Sequence, residues 1–304
     1  MRAYDLAIIS QAADRADPDI QGWCYGLPPG ITPAQWPLDP ANGYPLQHGF
    51  TLLLPEDYRC HGPDIVAISF FASAFDHNDG GPIIAAPAIR GAMIAANAPD
   101  DPDLYPFWQA ERSEHPRLYR LQDTLGIAFA AVLLSQDEFD GPLCQPPRLT
   151  GNKYLDALPS PRWMAIGSAA AYWAFAGDMR VVQEIFGKKP INDLAENRAI
   201  RWTSREHDPN AGRIPYDEFQ HEPTDYVQPL FRTTDAKGEQ NYEYREWVAG
   251  LAPNHIGGTM QPSQWVPQFS PYYIEFDEEF GGYNFGGGNA QLDFRDMKFE
   301  WACG

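Results

Sequence analysis

The sequence predicts an α+β fold in which strands supply most of the framework and a helical insertion occupies the middle of the chain. Its 26 glycines and 29 prolines among 304 residues exceed the usual combined share of roughly 12%, and such a chain turns often. Strand-like segments lie towards both ends, whereas segments with helical spacing lie between them.

Two strands are expected in the first quarter of the chain. Residues 50–54 (FTLLL) and 64–71 (DIVAISFF) are rich in β-branched and aromatic side chains, the composition that favours strands. They follow a turn-rich stretch over residues 23–47. The next segment, 76–81, reads as a tight surface loop because it ends in two glycines.

The middle of the chain predicts two helices. Apolar residues three or four positions apart indicate a helix over 118–135. Residues 161–176 indicate another, with a proline near the first turn and a glycine at the stop, and 181–187 is expected to continue it after a break. The polar stretch 190–250 indicates a long excursion or a partner-facing loop. We therefore expect one domain over 1–304 whose residues 76–250 form a helical and loop-rich insertion.

The carboxyl end returns to strand character. Residues 272–276, 291–294 and 297–301 each predict a strand. The glycine-rich segment 283–289 lacks the strand, loop and helix order of a nucleotide-binding loop. Its glycines are expected to allow close backbone packing between strands.

The charge distribution excludes several classes of partner. With 22 basic and 41 acidic side chains, the formal net charge is −19. This argues against nucleic acid, whose phosphates require a basic face, and against anionic membranes. Residues 61–145 hold 4 basic and 12 acidic side chains, and residues 231–304 hold 5 and 11. These two segments carry most of the negative excess.

The chain shows neither a secretory signal nor an apolar run near the ~20 residues that cross a bilayer. Its 4 cysteines are scattered, without the paired spacing of a zinc site. We therefore expect a cytoplasmic protein without a metal or other cofactor.

Catalytic motifs are missing from the sequence. There is no phosphate-binding Walker loop, no G-x-S-x-G elbow and no H-E-x-x-H helix. Asp76, His77 and Asp79 could chelate a cation, but Gly80 breaks the EF-hand pattern, so a surface turn is favoured. The chain is therefore expected not to be an enzyme.

Proline, glycine and tryptophan residues precede the first long strand, and the carboxyl end holds a His-Ile-Gly-Gly segment, an Asn-Phe-Gly-Gly-Gly turn and a closing strand. These segments are 26–30, 36–37, 43–47, 52–56, 254–258 with Gln264, 273–277, 284–288 and 299–304. Together they resemble the YwqG-like family of bacterial proteins of unknown function. The resemblance covers roughly residues 22–72 and 250–304.

The resemblance implies a β-rich, roll-like framework in which the two chain ends come together. It also implies a candidate immunity or antitoxin component of a bacterial toxin system, and it brings no catalytic mechanism. Two departures are visible: Gly287 stands where the family often has aspartate, and residues 36–44 lack the cysteine pair of some relatives.

Two functions follow as hypotheses. The first is a non-catalytic protein that neutralises a basic toxin or secreted effector through acidic side chains. Its candidate contacts are Asp76, Asp79, Asp100, Asp101, Asp103, Glu275, Asp277, Glu278 and Glu279. The second is an enzyme or ligand-binding protein with a pocket near His255, Asn284 and Asn289, in which His255 is a general base or ligand. A buried histidine that donates to a backbone carbonyl is the simpler interpretation of His255.

Overall fold

Strands dominate the computed structural model, so the expected mainly β, α+β class is confirmed. The residues that it describes are 1–78, 83–166, 194–217 and 224–304. They form two compact units. The C-terminal unit comprises Met1–Ala7, Arg201–Glu278 and Phe285–Gly304, and the N-terminal unit comprises Ile8–Ile200 and Glu279–Asn284. The assignment of one domain with an insertion over 76–250 stays a prediction.

The strands are β1 Ala3–Ile8, β2 Gly22–Tyr25, β3 Gln47–Leu53, β4 Ile65–Ala72, β5 Leu118–Gln122, β6 Ala128–Ser135, β7 Asn197–Arg205, β8 Leu230–Thr234, β9 Gln240–Tyr244, β10 His255–Ile256, β11 Tyr273–Asp277, β12 Asn289–Asp293 and β13 Lys298–Ala302. The described helices are α1 Phe75–Asn78, α2 Pro87–Ile94, α3 Tyr105–Ala110, α4 Gln136–Phe139 and α5 Trp163–Ile166. Short 3₁₀ turns occupy Pro33–Gln35, Glu56–Tyr58 and Glu246–Val248.

The N-terminal unit is built on antiparallel strands in the order β2-β3-β4-β6-β5, and the first residues of β7 pair with the other edge of β2. Aromatic rings fill its core. Phe50 stacks on Phe70 with 5.5 Å between ring centroids, and Phe280 and Tyr283 pack edge-on against these two rings. The short segment Glu279–Asn284 therefore belongs to this core.

The C-terminal unit contains antiparallel strands in the order β1-β10-β11-β12-β13. One apolar side chain from each strand lines up across the sheet. These are Tyr4, Ile256, Ile274, Leu292 and Phe299, and all five are buried. The neighbouring position on each strand points to the other face, because side chains alternate along a strand, and there the side chains are polar. The strands β8 and β9 form a separate antiparallel pair.

The expected helix over 118–135 is wrong. The segment forms β5 and β6, joined by a turn in which the Asp123 carboxylate accepts the backbone N–H groups of Leu125 and Ile127. The strand β6 is buried on both faces along almost its whole length, so it lacks the alternation of a half-exposed strand. A short apolar run of this kind cannot be distinguished from a buried helix by periodicity.

Other expectations for the middle of the chain fare differently. Of the helix expected over 161–176, the structure describes only Trp163–Ile166 as helical (α5), while residues 167–176 and the continuation over 181–187 lie outside the described residues. Residues 190–250, expected to form an excursion or a partner-facing loop, contain the strands β7, β8 and β9, and residues 190–193 and 218–223 lie outside the described residues. The surface loop expected over 76–81 is wrong at its start, since residues 76–78 belong to α1 and His77 is only 3% exposed. Residues 79–81 lie outside the described residues.

The carboxyl-terminal expectations are confirmed. The strands β11, β12 and β13 lie where alternation places them. The close packing expected of the glycine-rich segment is confirmed as well, because a Cβ atom on Gly288 would lie 1.7 Å from the backbone oxygen of Ala302. No helix in the described ranges combines the length and the apolar character needed to cross a bilayer.

Candidate functional site

A row of polar side chains crosses the sheet of the C-terminal unit. The strand register places Asp5 opposite His255, His255 opposite Glu275, Glu275 opposite Gln291 and Gln291 opposite Glu300. Directly opposite residues of an antiparallel pair share one face and lie within contact distance. We call these five residues the polar row. Its three central side chains are buried and its two ends reach solvent.

The Glu275 carboxylate at the centre of the row is enclosed by donors. It accepts the backbone N–H of Gln261 at 2.9 and 3.0 Å and the side-chain amide of Asn289 at 2.8 Å. The Asn289 amide also donates to the Gln261 backbone oxygen. The pKa of the nearby Tyr244 hydroxyl is raised first by burial of the hydroxyl end of this partly exposed side chain and then by the negative charge of Glu275. Donors thus replace the water that the carboxylate loses on burial.

The imidazole of His255 lies beside this carboxylate. Its Nδ1 lies 2.7 Å from the Gly257 backbone oxygen, so the Nδ1–H group donates to that carbonyl. Its Nε2 lies 3.5 Å from Glu275 Oε2, and no hydrogen bond to Nε2 is present among the described residues. The ring also packs edge-on against Tyr273. The sequence left two interpretations of His255 open. The bond to Gly257 agrees with the simpler one, a buried histidine that donates to a backbone carbonyl.

The burial of His255 limits the chemistry of the row. Neither His255 nor Glu275 has any exposed surface, so a substrate in solution cannot touch them in this conformation. A general base must come within hydrogen-bond reach of the proton that it removes. Of the three residues expected near a pocket, His255 and Asn289 share Glu275 as a neighbour, whereas Asn284 belongs to the N-terminal unit. The arrangement fixes the strands rather than exposing a reactive group.

An ion-pair network is attached to the Asp5 end of the row. The Arg205 guanidinium contacts Asp5 and donates to Asp208 at 2.7 Å. Asp208 also accepts the backbone N–H and the hydroxyl of Thr259. A Cβ atom on Gly258 would lie 2.5 Å from Asp208 Oδ2, and the φ of +85° at Gly258 also favours glycine. The second glycine of the His-Ile-Gly-Gly segment is therefore required by this close approach.

A second buried polar chain lies in the N-terminal unit. Burial lowers the pKa of His48 to about 4, against the opposing effect of its bonds to the Gly26 and Tyr25 carbonyls. The neutral ring donates from Nδ1 to those carbonyls, so its Nε2 accepts from the Thr51 hydroxyl at 2.9 Å. The Ser69 hydroxyl, 2.7 Å from Thr51, then donates to it. Ser69 is 1% exposed, so this chain also stabilises the interior.

The acidic residues expected to contact a partner lie in different surroundings. Asp100, Asp101 and Asp103 lie in the segment before α3 and are half-buried or exposed. The Lys153 ammonium and then the Tyr154 hydroxyl lower the pKa of Asp101 to about 2. Asp76 accepts the backbone N–H of Arg162. Asp79 lies outside the described residues.

The acids that follow β10 in the chain are mostly engaged within the molecule. The full burial of Glu275 removes it from any surface that a partner could contact, so its expected role as a contact is wrong. Asp277 accepts the Asn254 amide at 2.9 Å. Glu278 holds the glycine-rich turn by accepting the backbone N–H groups of Phe285 and Gly287. The backbone oxygen of Glu279 accepts the Tyr25 hydroxyl.

Exposed aromatic side chains in the C-terminal unit were not among the residues expected from the sequence. Tyr244, Trp247 and Trp265 are 42%, 36% and 52% exposed, and we call them the aromatic surface. The Tyr244 hydroxyl donates to the backbone oxygen of Pro262 at 2.9 Å, which places the end of β9 beside the loop that carries Trp265. The signal in the sequence was the presence of large aromatic residues in otherwise polar stretches.

Within the described residues, no group of three or more His, Cys, Asp or Glu side chains is placed to hold a metal ion.

Comparisons with known proteins add no further constraint. No family model, curated protein or solved structure matches the chain. The likeness to YwqG-like proteins therefore stays a prediction from the sequence.

Proposed function

We propose that this protein is a non-catalytic, cytoplasmic interaction protein, most concretely a bacterial immunity or antitoxin protein that binds and neutralises a basic toxin or secreted effector. The observation that carries this proposal is the aromatic surface of the C-terminal unit in a chain of net charge −19. The resemblance of both chain ends to YwqG-like proteins supports the same class.

The arginines of the described residues are largely occupied by internal bonds. Arg15 donates to the backbone oxygens of Gly141 and Phe139, Arg120 is held by Glu111 and Glu114, and Arg205 by the two aspartates of its network. The excess carboxylates therefore dominate the field that an approaching molecule meets. Such a field attracts a basic protein and raises its association rate, more so at low salt.

Electrostatic attraction raises the association rate, and the aromatic surface adds side chains that can pack against the partner in the complex. Tryptophan and tyrosine are enriched among the side chains that contribute most binding energy at protein interfaces. Glu243 and Glu246 flank Tyr244 and Trp247 in the chain and are exposed. The cation between them, Arg245, is engaged: it lies over the Phe231 ring and donates to the Gln228 backbone oxygen. Exposed aromatic and acidic side chains in one segment of the chain suit a partner with basic and apolar groups.

The alternative, catalysis or ligand binding at His255, receives less support. That side chain is completely buried and donates to a backbone carbonyl. Its neighbour Glu275 is saturated by donors from Gln261 and Asn289. These contacts favour a structural role for the residues that this alternative requires.

The test uses the proteins encoded on either side of this gene. Each is expressed in bacteria with and without this protein, and growth is measured together with the affinity of the purified pair. We expect one neighbour to be toxic alone, to be neutralised by co-expression and to bind with an association rate that falls as salt increases. A basic protein of no biological relation, cytochrome c, controls for non-specific charge attraction.

Variants locate the contact. Trp265→Ala is expected to weaken binding at least tenfold, because a tryptophan that becomes buried in an interface contributes about 2 kcal/mol or more to binding. Tyr105→Ala removes an aromatic side chain with 42% exposure in the N-terminal unit and is expected to leave binding unchanged. If neither neighbour is toxic or bound, or if cytochrome c binds equally well, the proposed function is wrong.

A further inference from the structure

The N-terminal unit contains a cavity that the proposed function does not use. Its volume is about 330 Å³, and it is lined mainly by apolar groups that include three proline rings. The indole of Trp36, 2% exposed, forms part of the wall. Its indole N–H donates to the Leu46 backbone oxygen, and the ring stacks on Trp163 with 6.1 Å between ring centroids. The cavity therefore has at least one rigid aromatic wall.

Three polar side chains also line the cavity, namely Gln109, Ser113 and Arg148. Gln109 lies in α3 and Ser113 follows four residues later, in the turns that continue the chain beyond that helix. Among the described residues, none of the three side chains makes a hydrogen bond or an ion pair. Few polar groups in a mainly apolar cavity are typical of a small-molecule site, and the volume lies at the lower end of the usual range of roughly 300–1,000 Å³.

Arg148 differs from the other arginines near this region. Arg112 donates to the Ala95 and Trp108 backbone oxygens and lies over the Trp108 ring. Arg120 is held by two glutamates and donates to the backbone oxygen of Leu38, a residue of the cavity wall. Arg148 is exposed and has no such partner, although the chain has 19 more acidic than basic side chains. A guanidinium in so acidic a chain is therefore free to pair with an external anion.

We propose that this cavity binds a small organic carboxylate, whose apolar body lies against Trp36 and Leu149 and whose carboxylate pairs with Arg148. The planar guanidinium can hold a carboxylate by two parallel hydrogen bonds. A single cation balances a monoanion, and the negative field of the protein opposes a dianion more strongly. Ser113 and Gln109 supply further donors for the same oxygens.

The experiment titrates the purified full chain with 3-phenylpropionate and follows binding by calorimetry and by ligand-observed NMR. We expect saturable binding with one site, at least about tenfold weaker in Arg148→Gln because a charge-assisted bidentate pair is lost. Arg90→Gln is the matched control, since Arg90 is also exposed and lies in α2 outside the cavity lining. It removes the same charge and is expected to leave the affinity unchanged.

Two further arms test the ligand class and the place of binding. The neutral analogue 3-phenylpropanol and the dianion phenyl phosphate are both expected to bind more weakly than the carboxylate. Ala34→Trp, which fills the cavity from its exposed wall, is expected to abolish binding while circular dichroism stays that of the parent. Absence of saturable binding, an equal loss in Arg90→Gln, or tighter binding of phenyl phosphate or of the alcohol would each overturn the proposal.

Discussion

His255 and Glu275 face each other directly across β10 and β11, and neither side chain has any exposed surface. The carboxylate accepts from the Gln261 backbone and the Asn289 amide, while the imidazole N–H is held by Gly257. A buried charge is tolerated only when such partners compensate for lost water. The pair and its donors therefore lock the loop after β10 to the sheet.

The first prediction concerns the stability that depends on Glu275. Glu275→Ala is expected to lower the free energy of unfolding by about 3–5 kcal/mol, because it leaves the buried Gln261 N–H and one N–H of the buried Asn289 amide without their acceptor. Glu275→Gln keeps one oxygen acceptor and is expected to cost less. Urea denaturation followed by circular dichroism gives both values.

The matched control lies in the same polar row. Glu300→Ala removes a glutamate that is exposed and stands two strands away from Glu275, and a change within about 0.5 kcal/mol is expected. Equal losses for the alanine variants of Glu275 and Glu300 would contradict the role assigned to burial.

The second prediction concerns acid stability through Glu138 in α4. Burial alone would raise the pKa of this carboxyl, but bonds from Ser135, His115 and Arg117 lower it to about 2. The stabilisation is therefore fully present above the unfolded value near 4.5 and is lost as pH falls from there towards 2. Glu138→Gln is expected to lose about 1–3 kcal/mol at pH 7.

The difference between the parent and Glu138→Gln is expected to shrink below pH 4.5, as the parent carboxyl takes up its proton. Chemical denaturation at several pH values between 7 and 3 measures this convergence. Asp137→Asn, an exposed neighbour in the same helix, controls for the loss of one negative charge. A difference that stays constant with pH would show that the charge of Glu138 is not responsible.

The sequence predicted the carboxyl-terminal strands because β11 and β13 each have one buried apolar and one polar face. It could not predict β6, whose residues are buried on both faces and carry no alternation. The burial of Glu275 was equally hidden, since it depends on the pairing of β10 with β11 and on donors 14 residues distant in the chain. Register across strands is a property of the folded sheet, and a local run of acidic residues gives no sign that one of them is buried.

The third prediction concerns His48, whose pKa burial lowers to about 4 from an ordinary value of 6.5. Between these two pH values the unfolded chain binds a proton that the folded chain excludes, so stability falls as pH decreases through this window. Within this window, the titration of His48 is expected to change the free energy of unfolding by up to about 1.4 kcal/mol per pH unit. His48→Gln removes the titrating group and is expected to flatten the dependence of unfolding free energy on pH between 6.5 and 4. An unchanged slope in the variant would refute this assignment.

The fourth prediction concerns the contact of Gly49 with Tyr283 in the N-terminal unit. A Cβ atom on Gly49 would lie 1.3 Å from the Tyr283 hydroxyl oxygen, and Tyr283 is buried and packs edge-on against Phe70. Gly49→Ala is therefore expected to cost about 3 kcal/mol or more, since the ring has no room to yield. Thermal and urea unfolding measure the loss.

A second substitution distinguishes this clash from a general intolerance of β3. Tyr283→Leu removes the hydroxyl and much of the ring, so Gly49→Ala is expected to cost less in that background than in the parent, giving a favourable coupling in a double-mutant cycle. Gly91→Ala is the matched control: Gly91 lies in α2 with nothing within 4 Å of the added Cβ, and a gain of about 0.4–1 kcal/mol is expected. Additive losses at residues 49 and 283 would contradict the direct contact, because substitutions at two residues in contact are expected to show a coupling energy.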